Sequence, residues 1–175
     1  MIKKIIVPTD GSDHANKALD LAADLARIYQ AEIIVLHILL RYQSVFDLLR
    51  LSKSLPADKE LTERLEELGD ASVQAAASAY EGIVSIPAPD DIVQDIGELV
   101  CADAKTRLAA KGQENVRTYV VDGSPAERIL MAEEHESADM IVMGSRGLGK
   151  VADLFLGSVS QKVSHLSKCT CVTVK

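Results

Sequence analysis

Short continuous apolar runs alternate along this chain with longer segments whose apolar residues recur every three or four positions. Such runs read as strands covered on both faces, and the periodic segments read as amphipathic helices. Ile5, Ile6 and Val7 centre the first strand, over 4–9, which Pro8, Thr9 and Asp10 bring to a turn at Asp10-Gly11-Ser12. Ala15, Ala18, Leu19, Ala22, Leu25 and Ala26 then form one stripe and predict a helix over 13–29. A second strand follows over 32–38. After residue 90 the alternation resumes with a helix over 91–111, a strand over 116–121, a helix to about 135, a strand over 139–143, a last helix from Ser158 and a last strand over 170–174. Ser124-Pro125-Ala126-Glu127 is a helix start, with serine at the N-cap, proline at the first position and glutamate at the third. Asp91 with Gln94, and Ser158 with Gln161, are spaced as capping boxes. Strands and helices in this order predict a parallel α/β sheet.

Residues 40–90 break the alternation. Leu61, Leu65, Leu68 and Ser72 mark a helix over 58–81, residues 45–55 make a shorter one, and residues 83–89, with two prolines, make an extended return. This insertion reads either as a helical flap packed at the domain edge or as a lid or partner surface. Val45, Phe46, Leu48, Leu49 and Leu51 are many apolar residues for a loop.

The totals narrow the function classes. A chain of 175 residues suits one domain, here 1–175, with a full core. A net charge of −7 with scattered basic residues argues against nucleic acid or anionic membrane as partner. No stretch is long enough to span a bilayer, and the opening apolar run is too short for a signal peptide, so the expected location is cytoplasmic. Cys101, Cys169 and Cys171 make neither a disulfide framework nor a zinc cluster. His37 lies in an apolar strand without a Ser or Cys partner at a telling spacing and reads as a buried structural histidine. His14, His135 and His165 read as helix-surface residues.

The candidate chemistry lies in Gly144–Ser160, GSRGLGKVADLFLGSVS. Two familiar phosphate motifs nearly match it. Gly144 to Lys150 fits G-x-x-x-x-G-K, but Val151 stands where a P-loop needs Ser or Thr for magnesium, and the loop follows the fourth strand rather than the first. Gly147 to Ala152 fits the dinucleotide fingerprint, but no acidic residue follows about twenty positions later to hold a ribose. The remaining reading is a longer loop that meets a phosphate twice. Gly144 and Gly147 approach from one side, and Gly157, Ser158 and the last helix's N-terminus close from the other. Ser158 and Ser160 can each donate a hydroxyl. Arg146 and Lys150 either screen phosphate charge or are solvated.

The spacing G-x2-G-x9-G-S resembles the nucleotide motif of the universal stress protein family. Ile5-Ile6-Val7-Pro8-Thr9-Asp10-Gly11-Ser12, Leu36-His37-Ile38, Val121-Asp122-Gly123-Ser124-Pro125 and Cys171-Val172-Thr173-Val174 are similar to its other signatures, so the resemblance covers nearly the whole chain. It implies a five-stranded parallel sheet in order 3-2-1-4-5 with helices on both faces, here with a helical insertion after strand 2. It also implies ATP, or ADP or AMP, at the switch point between strands one and four. Asp10 would sit near the ribose or a Mg2+ ion, unless it only caps the first helix or its turn. Pro8 and Thr9 would lie along the nucleotide, Ile38 would offer backbone to adenine, and Met143 would pack on base or ribose. Gly144, Gly147, Gly157, Ser158, Val159 and Ser160 would surround the phosphates. No catalytic residue is assigned. The resemblance further implies a homodimer through the last strand, with Val172 and Val174 at the seam. The leading expectation is an ATP-binding stress or signalling protein. A slow ATPase or ATP-using enzyme with a second substrate under the insertion, and an interaction protein that binds no ATP, stay open beside it.

Overall fold

Eleven elements are seen in the computed structural model, which describes residues 1–41, 43–56, 58–78, 88–148 and 156–175. They are β1 (Lys4–Pro8), α1 (Asp13–Tyr29), β2 (Glu32–Ile38), α2 (Val45–Ser52), α3 (Lys59–Ser78), α4 (Asp90–Ala110), β3 (Val116–Val121), α5 (Pro125–Glu136), β4 (Met140–Gly144), α6 (Ser158–Leu166) and β5 (Thr170–Val174). Two compact units emerge, one of residues 1–39 with 100–175 and one of residues 40–99.

The larger unit holds the sheet. Its order is β3-β2-β1-β4-β5, and every pairing is parallel. Both faces are covered, as the unbroken apolar runs require. Ile5, Val7, Ile33, Val35 and Val142 pack under α1 and the second half of α4, where Ala18, Leu19, Ala22, Ala104 and Leu108 meet them. Ile6, Ile34, Leu36, Ile141 and Met143 pack under α5 and α6, against Ala126, Ile129 and Val163. The small residues of α1 let that helix lie close to the strands.

Charged groups fix the amino ends of the strands. The Asp139 carboxylate accepts the Lys3 N–H at 2.7 Å and the Lys4 N–H at 3.1 Å, tying the start of β1 to β4. Arg117 of β3 grips Glu32 of β2 at 2.6 Å and Glu136 at the end of α5 at 2.7 Å. Arg117 and Lys4 hold the Glu136 carboxyl far below its ordinary value, at about 2. On the far edge, Glu133 of α5 accepts the backbone N–H groups of Lys168 at 2.7 Å and Cys169 at 2.8 Å, which sets the entry into β5.

In the smaller unit α2 and α3 pack on each other, with Val45, Leu48, Leu51, Leu61 and Leu65 buried. Ion pairs join Lys53 to Glu66 and Arg64 to Asp91. The extended return expected over 83–89 lies mostly outside the described residues.

Two capping expectations are corrected. Helix α4 starts at Asp90, and the Gln94 amide donates to Glu98 within the helix, while Asp91 pairs with Arg64. Helix α6 has Gly157 rather than Ser158 at its N-cap, and the Gln161 N–H donates to the Gly157 carbonyl. The start of α5 has Ser124 and Pro125 where expected, but the serine makes no side-chain cap.

Candidate functional site

Connections from β1 run outward to β2 and β3, then return across to β4 and β5. The order therefore reverses between β1 and β4, and the carboxyl ends of these two strands flank a crevice. Pro8, Thr9 and Asp10 end one wall, and Met143, Gly144 and the following loop end the other.

Asp10 spans the crevice. One carboxylate oxygen accepts the Ser12 N–H at 3.0 Å, a turn contact beside the helix. The other accepts the Leu148 N–H at 3.0 Å, from the loop after β4. The helix cap belongs to Ser12, whose hydroxyl accepts from the Ala15 N–H. Asp10 thus does more than cap: it links the two walls.

The three glycines stand there for different reasons. A Cβ on Gly144 would lie 2.8 Å from the His14 carbonyl carbon and 2.9 Å from the Ala15 nitrogen, so glycine lets the first turn of α1 press on the end of β4. A Cβ on Gly147 would fall on the carboxylate oxygen with which Asp10 holds Leu148. Gly157 has ordinary extended backbone, φ −72° and ψ 159°, and among the described residues a Cβ there would meet the Ser145 carbonyl oxygen at 3.4 Å, Arg146 Cα at 3.7 Å and Ser160 Oγ at 3.8 Å, all at van der Waals contact. Neither its backbone angles nor its described neighbours demand a glycine at 157.

Helix α6 starts at this loop without a side-chain cap. Its first-turn N–H groups, from Ser158, Val159 and Ser160, have no intrahelical acceptor and leave partial positive charge at the helix end. Ser158 is exposed and Val159 half-buried. Ser160 is buried, and its hydroxyl donates to the Ser145 carbonyl and to the Gly157 carbonyl, both at 2.9 Å. That hydroxyl, expected to donate to a phosphate, is committed within the protein. Ser160 has its backbone N–H to offer.

Ser145, which the sequence did not single out, joins these parts. Its N–H donates to the Val174 carbonyl of β5 and its carbonyl accepts the Gly157 N–H, each at 2.7 Å. Its hydroxyl lies 3.0 Å from His14 Nδ1. His14 is therefore half-buried and bonded rather than a bare helix-surface residue. The signal was present in the sequence: Ser145 follows the first loop glycine, and His14 lies in the first turn of the helix after β1.

The side chains of Met143 and Ile38 belong to the core under α5 and α6, and the two residues pair in the sheet with Thr173 of β5 and Val121 of β3. Thr9 is buried, and its carbonyl accepts from His37 Nδ1 at 2.9 Å. His37 is wholly buried, as expected, and burial lowers its pKa against the opposing pulls of the Thr9 carbonyl and Asp10. The carbonyl can only accept, so Nδ1 carries a proton, and the lowered pKa favours the neutral ring with its single proton there. Arg146 is half-buried, and Lys150 lies outside the described residues. Among the described residues no helix is long and apolar enough to cross a membrane.

A doubly wound sheet with a glycine loop and an uncapped helix N-terminus at its switch point defines the class: a doubly wound α/β protein. The chain belongs to the universal stress protein family, whose model matches residues 1–175. It is 32% identical to universal stress protein YxiE of Bacillus subtilis over 180 residues, covering all of both chains. Its fold is similar to that of a universal stress protein solved in complex with cAMP, with a TM-score of 0.62, 21% identity and coverage of 99% of this chain and 97% of that one. It is likewise similar to the Archaeoglobus fulgidus universal stress protein in complex with dAMP, with a TM-score of 0.59, 18% identity and full coverage of both.

Proposed function

We propose that this protein binds an adenine nucleotide, ATP or its di- or monophosphate, in the crevice between β1 and β4, as a stress-response or signalling protein of its family. The observation that carries the reading is the uncapped start of α6 held against the glycine loop after β4. The Gly157 N–H donates to the Ser145 carbonyl at 2.7 Å, and Gly157 has backbone angles that do not themselves call for glycine. Backbone N–H groups of Ser158, Val159 and Ser160 receive phosphate oxygens, and Gly157 leaves them room. Pro8, Thr9 and Asp10 line the ribose side. The Ile38 backbone and Met143 border the base or ribose. The family's cAMP and dAMP complexes support an adenine ligand.

A magnesium ion fits only as a companion of the phosphates. Asp10 is a single carboxylate, and Mg2+ is commonly held by one or two carboxylates together with substrate phosphate. Metal binding at Asp10 competes with the Leu148 N–H for the same oxygen.

The dimer belongs to the same proposal. Strand β5 is an edge of the sheet, and Val172 and Val174 are only half-buried. An apolar edge of this kind is covered when a second copy adds its own β5. Mass spectrometry of the molecule released from purified protein, with calorimetric titration of ATP, ADP and AMP, tests the ligand. Sedimentation of the wild type against Val172→Lys tests the dimer. Protein that carries no nucleotide and binds none at millimolar concentration refutes the first reading. A monomer under native conditions refutes the second.

A further inference from the structure

Four separate segments meet at Ser145. Its N–H reaches β5 through Val174, its carbonyl takes the Gly157 N–H at the start of α6, and its hydroxyl reaches His14 in the first turn of α1. The same carbonyl accepts the buried Ser160 hydroxyl, which is shared with the Gly157 carbonyl. Ser145 is 1% exposed, so water does not substitute readily for a lost partner. Among the described residues one of its bonds uses its side chain. That bond is to His14, whose backbone is pressed against Gly144 so closely that no Cβ fits between them.

From this geometry we infer that His14, Ser145 and Ser160 form a clamp that positions the phosphate-facing arms of the loop. None of the three hydroxyl or imidazole groups is aimed at the ligand. His14 holds the Gly144–Gly147 arm against α1, and Ser160 holds the first turn of α6 to that arm, so together they fix where the two arms stand. The inference rests on the nucleotide reading above and adds to it which residues create the preference for a phosphate-bearing ligand. Fixed donors bind an anion more tightly than mobile ones, because no ordering cost remains at the moment of binding. The base and ribose contacts lie on β1, β2 and β4 and do not pass through the clamp. Loosening it therefore weakens phosphate recognition and leaves nucleoside recognition in place.

The test is the ratio of affinities for AMP and adenosine, by calorimetry on the full chain. Wild-type protein should bind AMP more tightly. Ser145→Ala and His14→Ala each remove the same hydrogen bond from opposite ends, so each should lower AMP affinity about tenfold, the scale of one such bond. Adenosine affinity should not change. The double variant should lose no more than either single one. His14→Asn keeps a hydrogen-bonding atom near the Nδ1 position and should restore most of the ratio. A merely structural role would lower both affinities together and leave their ratio unchanged, and that result overturns the clamp while leaving the nucleotide reading intact. Should one alanine variant fold poorly, the other reports on the same bond. Wild-type protein that binds neither ligand overturns the clamp and the nucleotide reading together.

Discussion

Alanine at position 147 puts a methyl group on the oxygen with which Asp10 holds the Leu148 N–H. The backbone at Gly147 does not itself resist the change, since its φ is not in the left-handed region. Among the described residues the obstacle is Asp10, and its side chain must rotate away. A hydrogen bond to a charged group contributes about 1.5–3 kcal/mol, with the lower end apt for a half-buried carboxylate. Against this, Gly→Ala at a tolerant position stabilises by about 0.4–1 kcal/mol through the unfolded chain. Gly147→Ala should therefore cost about 1 kcal/mol in the wild-type background. In Asp10→Ala the carboxylate is gone, and the same methyl should be neutral or stabilising by up to about 1 kcal/mol. The coupling between the two positions is then about 1–2 kcal/mol, well above the scatter expected of independent sites. Urea unfolding of the four proteins measures it. If Gly147→Ala costs the same with and without Asp10, the glycine is not there to admit the carboxylate, and the link between the crevice walls is wrong.

Other outcomes follow from the same geometry. Gly157→Val should leave the unfolding midpoint nearly unchanged and abolish AMP binding by calorimetry, because the backbone accepts a side chain that the ligand's space does not. Gly144→Ala should do the reverse: its methyl meets the backbone of His14 and Ala15, which costs about 1–3 kcal/mol of stability whether or not ligand is present. His37 has a folded pKa below the unfolded value of 6.5, so the unfolded chain binds its proton first. Stability is complete above that value and falls as pH drops below it, and His37→Leu should flatten that part of a urea-midpoint profile. Glu136, depressed from 4.5 to about 2, gives stability that is present above 4.5 and lost as pH falls toward 2. Glu136→Gln should remove that acid-side slope.

The strands and most helix limits were legible because apolar runs and stripes follow directly from covered strands and amphipathic helices. Residues 13–29, 32–38, 116–121 and 170–174 match their observed elements to the residue. Sheet order came from resemblance, since periodicity says nothing about which strands lie side by side. The caps at 91 and 158 were misplaced because several polar residues in a row can each cap, and the choice depends on tertiary partners. Arg64 takes Asp91, and the Ser145 carbonyl takes the Gly157 N–H. The site's glycines and Asp10 stood out by spacing. Ser145 and His14 did not, because their importance lies in a contact 131 residues apart in sequence.

That long-range contact changes what the glycine spacing means. A motif of three glycines suggests three equal approaches of backbone to phosphate. Here Gly144 answers to helix packing and Gly147 to a carboxylate, so the protein's own structure accounts for both. Among the described residues Gly157 has no such account, and it sits at the N-cap of α6. On the proposed nucleotide reading, the small residue that the described neighbours leave unexplained is the one beside the helix end that would receive the phosphate. Asp10 contributes the opposite sign. Its carboxylate already occupies one loop N–H, so on the proposed reading a phosphate would be drawn toward the donors of α6 and away from Leu148. Charge would then give the site a direction, with the anionic end of a nucleotide at α6 and its uncharged end toward β1 and β2.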